Sequence, residues 1–398
     1  MSIGFQSEAR LPIHKSNIAQ EESIVNFRNR YLIAAQTLGA ALIVAILVAA
    51  CGGGSSPSGF TQSYISSAGA GDVLQFSIDT ANMTYSFKVE ETSYAASYVA
   101  AGFTASESST GTLTLRYAIG SYKLSASADG FILGGEVYPL QNGLFVGHVL
   151  ISPIGGATVN IPVFGVPNPI TNVAALAATY NYQGFACDSR SGGVVDGSIV
   201  CASRTGTIKV DSTGNFSTCR DGNLGAASAP SCTKIGGGTA SATLTGTLAA
   251  VTGKPGVFDF KTTDGYHRGW FFAFSTGGQN VAVIDHDDNS TPSIFGFGHT
   301  VAVSQTSVKS GDINGKYFIK NNIGEKHLLT IIGNTFSDTF IPGSTGTLQF
   351  DKPWTGLVTY QYNNNVGAVS GVADIATAGS FTYNSNTYPF LFGVGLKY

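Results

Sequence analysis

The chain has 398 residues, enough for two or three domains that each bury a core. Only 11% of them are charged, while 51 glycines stand beside 17 tyrosines, 25 phenylalanines and two methionines, a turn-rich and aromatic-rich mixture suited to many short strands. A hydrophobic fraction of 43% excludes a disordered chain, and a net charge of −3 supplies no basic field for phosphate backbones, which excludes nucleic acid as a partner.

In chain order, the first 50 residues differ in kind from the rest. Leu38 to Ala50 is wholly apolar or glycine, lies behind Arg28 and Arg30, and ends at Cys51. An apolar run of this length, behind positive charge and closing on small residues, predicts a signal peptide over 1–50. Gln36 and Thr37 stop the run short of the ~20 residues that a membrane-crossing helix needs. The stretch Leu47-Val48-Ala49-Ala50-Cys51 resembles the lipobox of bacterial lipoproteins, with an aliphatic residue, small residues and then the cysteine. That resemblance implies cleavage before Cys51, a diacylglycerol thioether on its sulfur and acylation of its amine. Gly52 in place of an aspartate implies sorting to the outer membrane, lipid-anchored and facing the periplasm or the cell surface. Several acyl chains anchor stably where one is marginal, and the Gly/Ser-rich stretch 51–59 reads as a flexible tether.

Beyond the tether, period-two alternation dominates. Met83, Tyr85, Phe87 and Val89 alternate with polar residues, as do Leu113, Leu115 and Tyr117, then Trp270, Phe272 and Phe274, and finally Phe390 to Tyr398. Strands of this kind are half-buried, and long amphipathic helical patterns are missing; Val173 to Ala178 allows at most a short helical turn. Thr-Gly-Thr-[Leu/Ile] recurs at Thr110, Thr205, Thr245 and Thr345, and Phe-Gly-[Val/Phe] at Phe164, Phe295 and Phe392. A small-x-Tyr opening occurs at Tyr180 and Tyr317. Together these landmarks predict β units at 60–168, 172–304 and 312–398. Short antiparallel strands must close or cover their edges, so the expected fold is all-β: two or three small antiparallel barrels or sandwiches after the N-terminal signal helix. The Gly-x-Tyr opening at Tyr317 resembles the first strand of lipocalin-like barrels, where Gly-x-Trp is usual.

Four further cysteines, Cys187, Cys201, Cys219 and Cys232, cluster in the second unit. An even number in an exported chain reads as two disulfides, and of three pairings Cys187–Cys201 and Cys219–Cys232 close the shortest loops. No C-x-x-C pair or nearby histidine favours zinc instead. In the same unit, Tyr266, His267, Arg268 and Trp270 form an aromatic and basic group suited to a sugar or a small anion, and equally to a strand end with a core tryptophan and a snorkelling arginine. Asp285, Asp287 and Asn289 have the alternate spacing of a calcium loop, but Ser290 and Gly296 stand where its glycine and bidentate glutamate belong. The stretch therefore reads first as a polar hairpin turn, with weak Ca²⁺ binding the sharper alternative and no other cofactor expected.

No catalytic motif is present: G-x-S-x-G, H-E-x-x-H and the phosphate-binding loop are all missing, and Ser231-Cys232-Thr233-Lys234 matches S-x-x-K in letters only. The expectation is a non-enzymatic, lipid-anchored envelope protein that binds a surface ligand or protein partner or serves a structural role. A hydrolase with a dispersed site is the alternative, and an integral outer-membrane barrel, suggested by the aromatic last residue, is a third.

Overall fold

The computed structural model describes residues 59–68, 71–92, 108–117, 120–151, 159–191, 194–224, 231–234, 239–241, 244–287, 296–321, 326–340, 343–364, 367–376, 380–385 and 392–397. The signal peptide, Cys51 and the tether up to residue 58 lie outside them, as do Asn289 and the side chains of Cys187 and Cys201.

Three closed eight-stranded antiparallel barrels follow one another along the chain. Barrel one contains β1 (Thr61–Ser67), β2 (Asp72–Asp79), β3 (Thr84–Thr92), β4 (Ser108–Tyr117), β5 (Ser121–Leu124), β6 (Ile132–Pro139), β7 (Phe145–Ile151) and β8 (Val159–Pro167). A single turn of 3-10 helix at Val173–Leu176 leads to barrel two. This opens with β9 (Ala178–Ser191), β10 (Val194–Val210) and β11 (Asn215–Arg220). A small separate sheet interrupts it: β12 (Gly222–Leu224), β13 (Ser231–Lys234) and β14 (Thr239–Ser241). Barrel two then continues through β15 (Leu244–Ala250), β16 (Phe258–Thr262), β17 (His267–Thr276), β18 (Gln279–Asp287) and β19 (Gly296–Ser304). Barrel three holds β20 (Gly315–Asn321), β21 (Lys326–Ile332), β22 (Thr335–Asp338), β23 (Ser344–Phe350), β24 (Leu357–Asn364), β25 (Gly367–Ala376), β26 (Ser380–Ser385) and β27 (Phe392–Lys397). In each barrel the last strand returns to pair with the first, which removes every exposed edge.

The recurring tetrapeptide has a packing cause. Thr110, Thr245 and Thr345 open it in the fourth strand of each barrel, and its glycine lies directly opposite an aromatic residue of the third: Gly111 against Tyr85, Gly246 against Phe216, Gly346 against Phe336. A Cβ on Gly111 would fall on the Tyr85 ring, and one on Gly246 would stand 2.8 Å from Phe216. The missing side chain gives the ring its room inside the barrel. First-strand tyrosines are a second shared device. Tyr180 donates to the Leu176 carbonyl and Tyr317 to that of Ile313, each tying its strand to the segment before it.

Among the described residues, side chains fill the interiors of barrels one and two and line that of barrel three. Phe76 of barrel one has the rings of Phe145, Tyr85 and Phe87 at 5.0, 6.0 and 6.2 Å, and Tyr64 lies 5.1 Å from Phe145. In barrel two Phe216 stacks on Phe260 at 4.2 Å among Tyr180, Phe258 and Phe271. Tyr317, Ile331, Phe336, Leu348 and Val358 occupy barrel three. A membrane-spanning barrel has a polar lumen and an apolar outside; these interiors are apolar.

Parts of the outer walls are also apolar, and they meet. Tyr138, Val146, Phe164 and Val166 of barrel one lie in one buried cluster with Phe272, Phe274, Val281, Val283, Val301 and Val303 of barrel two, while Phe318 of barrel three stacks on Tyr138 at 4.9 Å. The runs Trp270–Phe274 and Val281–Ile284 therefore face apolar surroundings on both sides, one side the barrel interior and the other the neighbouring barrel.

Candidate functional site

The seam between barrels one and two is where buried polar chemistry concentrates. It forms around the turn joining β1 to β2, which barrel two grips by its backbone. Gly71, held at φ 81° where a side chain would be strained, donates its amide to Asp285, with both carboxyl oxygens at 3.0 Å. The indole of Trp270 donates to the Gly71 carbonyl at 2.8 Å. His299 Nε2 lies 2.7 Å from the Ser67 hydroxyl and 3.3 Å from the Ser67 carbonyl. A carbonyl only accepts, so Nε2 carries the proton and Nδ1 is the bare nitrogen; among the described residues Nδ1 has no hydrogen-bond partner. The His299 ring sits 4.6 Å from Phe164 of barrel one.

Ser67, Asp285 and His299 are all 0% exposed, and Asp72 and Asp287 are buried beside them. Burial acts oppositely on the two ionisable groups. It pushes the Asp285 carboxyl well above the ordinary range, against the Gly71 amide that favours the charged form, and Asp72 and Asp287 push it further. It draws the His299 imidazole down to about 3, with the Ser67 hydrogen bond opposing. In the closed seam burial thus favours the neutral form of both groups.

Most of the residues singled out from sequence come together here. His267 joins Asp259 through Nδ1 at 2.6 Å, approaches Asp287 through Nε2 at 3.7 Å, and lies 4.4 Å from the Trp270 ring. Tyr266 and Arg268 do not join the seam: the guanidinium stands over the Tyr266 ring at 5.5 Å and pairs with Asp264 at 3.3 Å, leaving Tyr266 46% exposed on the barrel rim. The expectation of a hairpin turn at Asp285 is corrected. β18 runs on through Asp287, pairing Asp285 with His299 and His286 with Gly298. Polar residues continue this strand because barrel one supplies the Gly71 amide that a buried carboxyl needs. Among the described residues no set of three His, Cys, Asp or Glu side chains is placed to hold a metal ion.

Cys219 and Cys232 are disulfide-bonded and fully buried with Leu224, stapling the small insertion sheet to barrel two. Closing a loop of this size contributes roughly 3 kcal/mol by restricting the unfolded chain. Cys187 and Cys201 are direct partners in the β9–β10 ladder.

A second concavity, about 710 Å³, runs along the outer wall of barrel one between Gln75, Ser77, Ser86, Lys88, Ser108 and Thr110. It is open, and its lining mixes hydroxyl groups with Phe87, Ala128 and the charged Lys88 and Asp129, a shallow surface rather than an enclosed site.

No protein-family model matches the chain, and no curated protein matches it. Among solved structures it is similar to a double mutant of the vaccine antigen transferrin binding protein B from Haemophilus parasuis, at 11% identity and a TM-score of 0.20. That match spans 83% of this chain and 66% of the other. A TM-score of 0.20 is too low to bear on fold or function, and the three barrels stand on their own strand pairing.

Proposed function

We propose that this chain is a lipid-anchored protein of the bacterial outer membrane whose three barrels form a non-enzymatic binding body, contacting a partner through barrel rims and walls. The observation that carries the reading is the combination of filled interiors with an uneven distribution of connections. Each barrel closes first strand on last, so the chain enters and leaves at one rim. Within the barrels the longest connections between successive strands, 93–107, 221–243 and 288–295, all leave from the opposite rim. Exposed Leu133, Leu244, Tyr266 and Phe340 are at that far rim too, against Leu115 and Ile332 at the near one. Exposed aromatic residues beside arginine are the kind of anchor that dominates protein interfaces. The chain enters barrel one from Gly59 at the near rim, so the far rims are the ends away from that entry.

Two measurements test this. Metabolic labelling with a clickable palmitate should mark the wild type and not Cys51→Ala, with the label in the outer-membrane fraction; equal labelling, or none, sinks the anchor. A photo-crosslinking residue at position 266 or 340 should give a higher-mass adduct on whole cells, whereas one at 332 should not. Adducts from 332 alone would place the contact at the wrong rim.

A further inference from the structure

The apolar part of the seam cannot by itself choose one docking of barrel one on barrel two. Its barrel-two wall repeats every second residue: Phe272 and Phe274 on β17, Val281 and Val283 on β18, Val301 and Val303 on β19. Sliding barrel one by two residues, about 7 Å, still sets one member of each pair where its copy stood. Apolar burial, which is non-directional, opposes the slide only through the other member of each pair.

The polar group at the end of the seam has no such repeat. We propose that the turn from Ser67 to Asp72 is a register key, a latch that fits barrel two in a single position and fixes the two barrels as one rigid body. The fit is specific because three barrel-two side chains take up consecutive groups of one short segment. Trp270 and Asp285 use the carbonyl and the amide of the same residue, Gly71, and His299 takes Ser67. A two-residue slide removes all three partners at once and leaves a buried carboxyl, a buried indole N–H and a buried imidazole unsatisfied. Asp285 is also positioned locally. Gly269, at φ 138° next to Trp270, lies so near the Asp285 carbonyl that a Cβ would overlap it, so β17 and β18 approach closely just where both side chains point at the turn. Buried polar groups elsewhere can cost stability while selecting one arrangement, and that division of labour is what the key predicts.

The test uses the full chain with spin labels on p-acetylphenylalanine at positions 123 and 209, exposed on barrels one and two, which avoids the native cysteines. The wild type should give one narrow inter-label distance. Asp285→Val combined with His299→Val should melt no lower, within a few degrees, yet give a broadened or split distribution. A single narrow peak at the wild-type distance in that variant would overturn the proposal. Should the double variant fail to fold, Trp270→Phe keeps an aromatic ring there and removes the indole N–H together with part of the ring volume. It should accelerate hydrogen exchange of the Gly71 amide at least tenfold, and an unchanged rate there overturns the key equally.

Discussion

The two joints between successive barrels solve the same problem with different chemistry. Each places one of the chain's two tryptophans under the neighbouring barrel with its indole N–H donating across the joint. Trp270 reaches the Gly71 carbonyl of barrel one; Trp354, ahead of the first strand of the second half of barrel three, reaches the Asn181 side chain of barrel two at 2.8 Å. Around Trp354 the remaining partners are amides: Gln305 donates to the same Asn181 oxygen at 2.9 Å, and Asn181 donates to the Thr355 carbonyl at 3.0 Å. Around Trp270 they are a carboxyl and an imidazole. Amides keep their hydrogen bonds at every pH, so the groups that meet Trp354 do not titrate, whereas those that meet Trp270 and Gly71 do. A buried polar contact may thus be equally well satisfied in two places and still answer differently to the medium.

The largest expected effect is the loss of either tryptophan. Trp270→Ala and Trp354→Ala should each cost about 3–5 kcal/mol, followed in denaturant by the fluorescence of the tryptophan that remains. The remaining tryptophan, at the intact joint, should keep a midpoint near that of the wild type; a midpoint lowered by the full loss of stability would break the comparison by showing that the joints open together. Next in size is Asn181→Asp, which sets a carboxylate against the Thr355 carbonyl and should cost about 1–3 kcal/mol. It should also place a titrating group beside Trp354, with melting lower at pH 7.5 than at pH 4.5 relative to the wild type. A pH-independent loss would mean that the amides matter only for shape.

The smallest effects, tenfold in the joint equilibrium per pH unit at most, separate the two ionisable groups of the first joint. Asp285 holds its proton more tightly when the joint is closed, so its contribution is complete below 3.8 and drains away as pH rises through its elevated value. His299 holds its proton less tightly when closed, so its contribution is complete above 6.5 and is lost as pH falls toward about 3. The two contributions slope in opposite directions with pH, so the wild type should vary less with pH than either single variant. Asp285→Asn should leave a joint that weakens with acid, and His299→Gln one that weakens with alkali. Trp270 emission against pH reads both, and parallel slopes in the two variants would refute the pairing.

The strands were legible because each barrel wall alternates, and the landmarks were legible because they mark ranks: Thr110, Thr245 and Thr345 the fourth strand, Phe164 and Phe392 the eighth, Tyr180 and Tyr317 the first. Thr205, in β10, shares the letters without the rank. The seam was half legible. Sequence reasoning isolated His267, Trp270, Asp285 and Asp287 but treated them as two groups, and it missed Ser67, Gly71, Asp72 and His299. Gly71 is 214 positions from Asp285, and hydrogen bonds over such distances leave no local trace. One signal was available. Phe271-Phe272-Ala273-Phe274 and Val281-Ala282-Val283-Ile284 are apolar at every position, which a strand with one wet face is not. Runs of that kind announce a covered outer wall, and the polar residues that directly adjoin them, Trp270 and Asp285, are where its cover is held.

Closure of each barrel, first strand against last, also decides how the protein bears load. A pull on barrel one through Gly59 and through the linker beyond Pro167 arrives at the same rim, at the paired ends of two neighbouring antiparallel strands, Tyr64 facing Pro167. Force applied there peels β1 from β8 one hydrogen bond at a time instead of shearing the whole ladder at once. Tugged at those two ends, barrel one should unzip at modest tension and lengthen, which under the proposed lipid anchoring would let the chain yield before its attachments break.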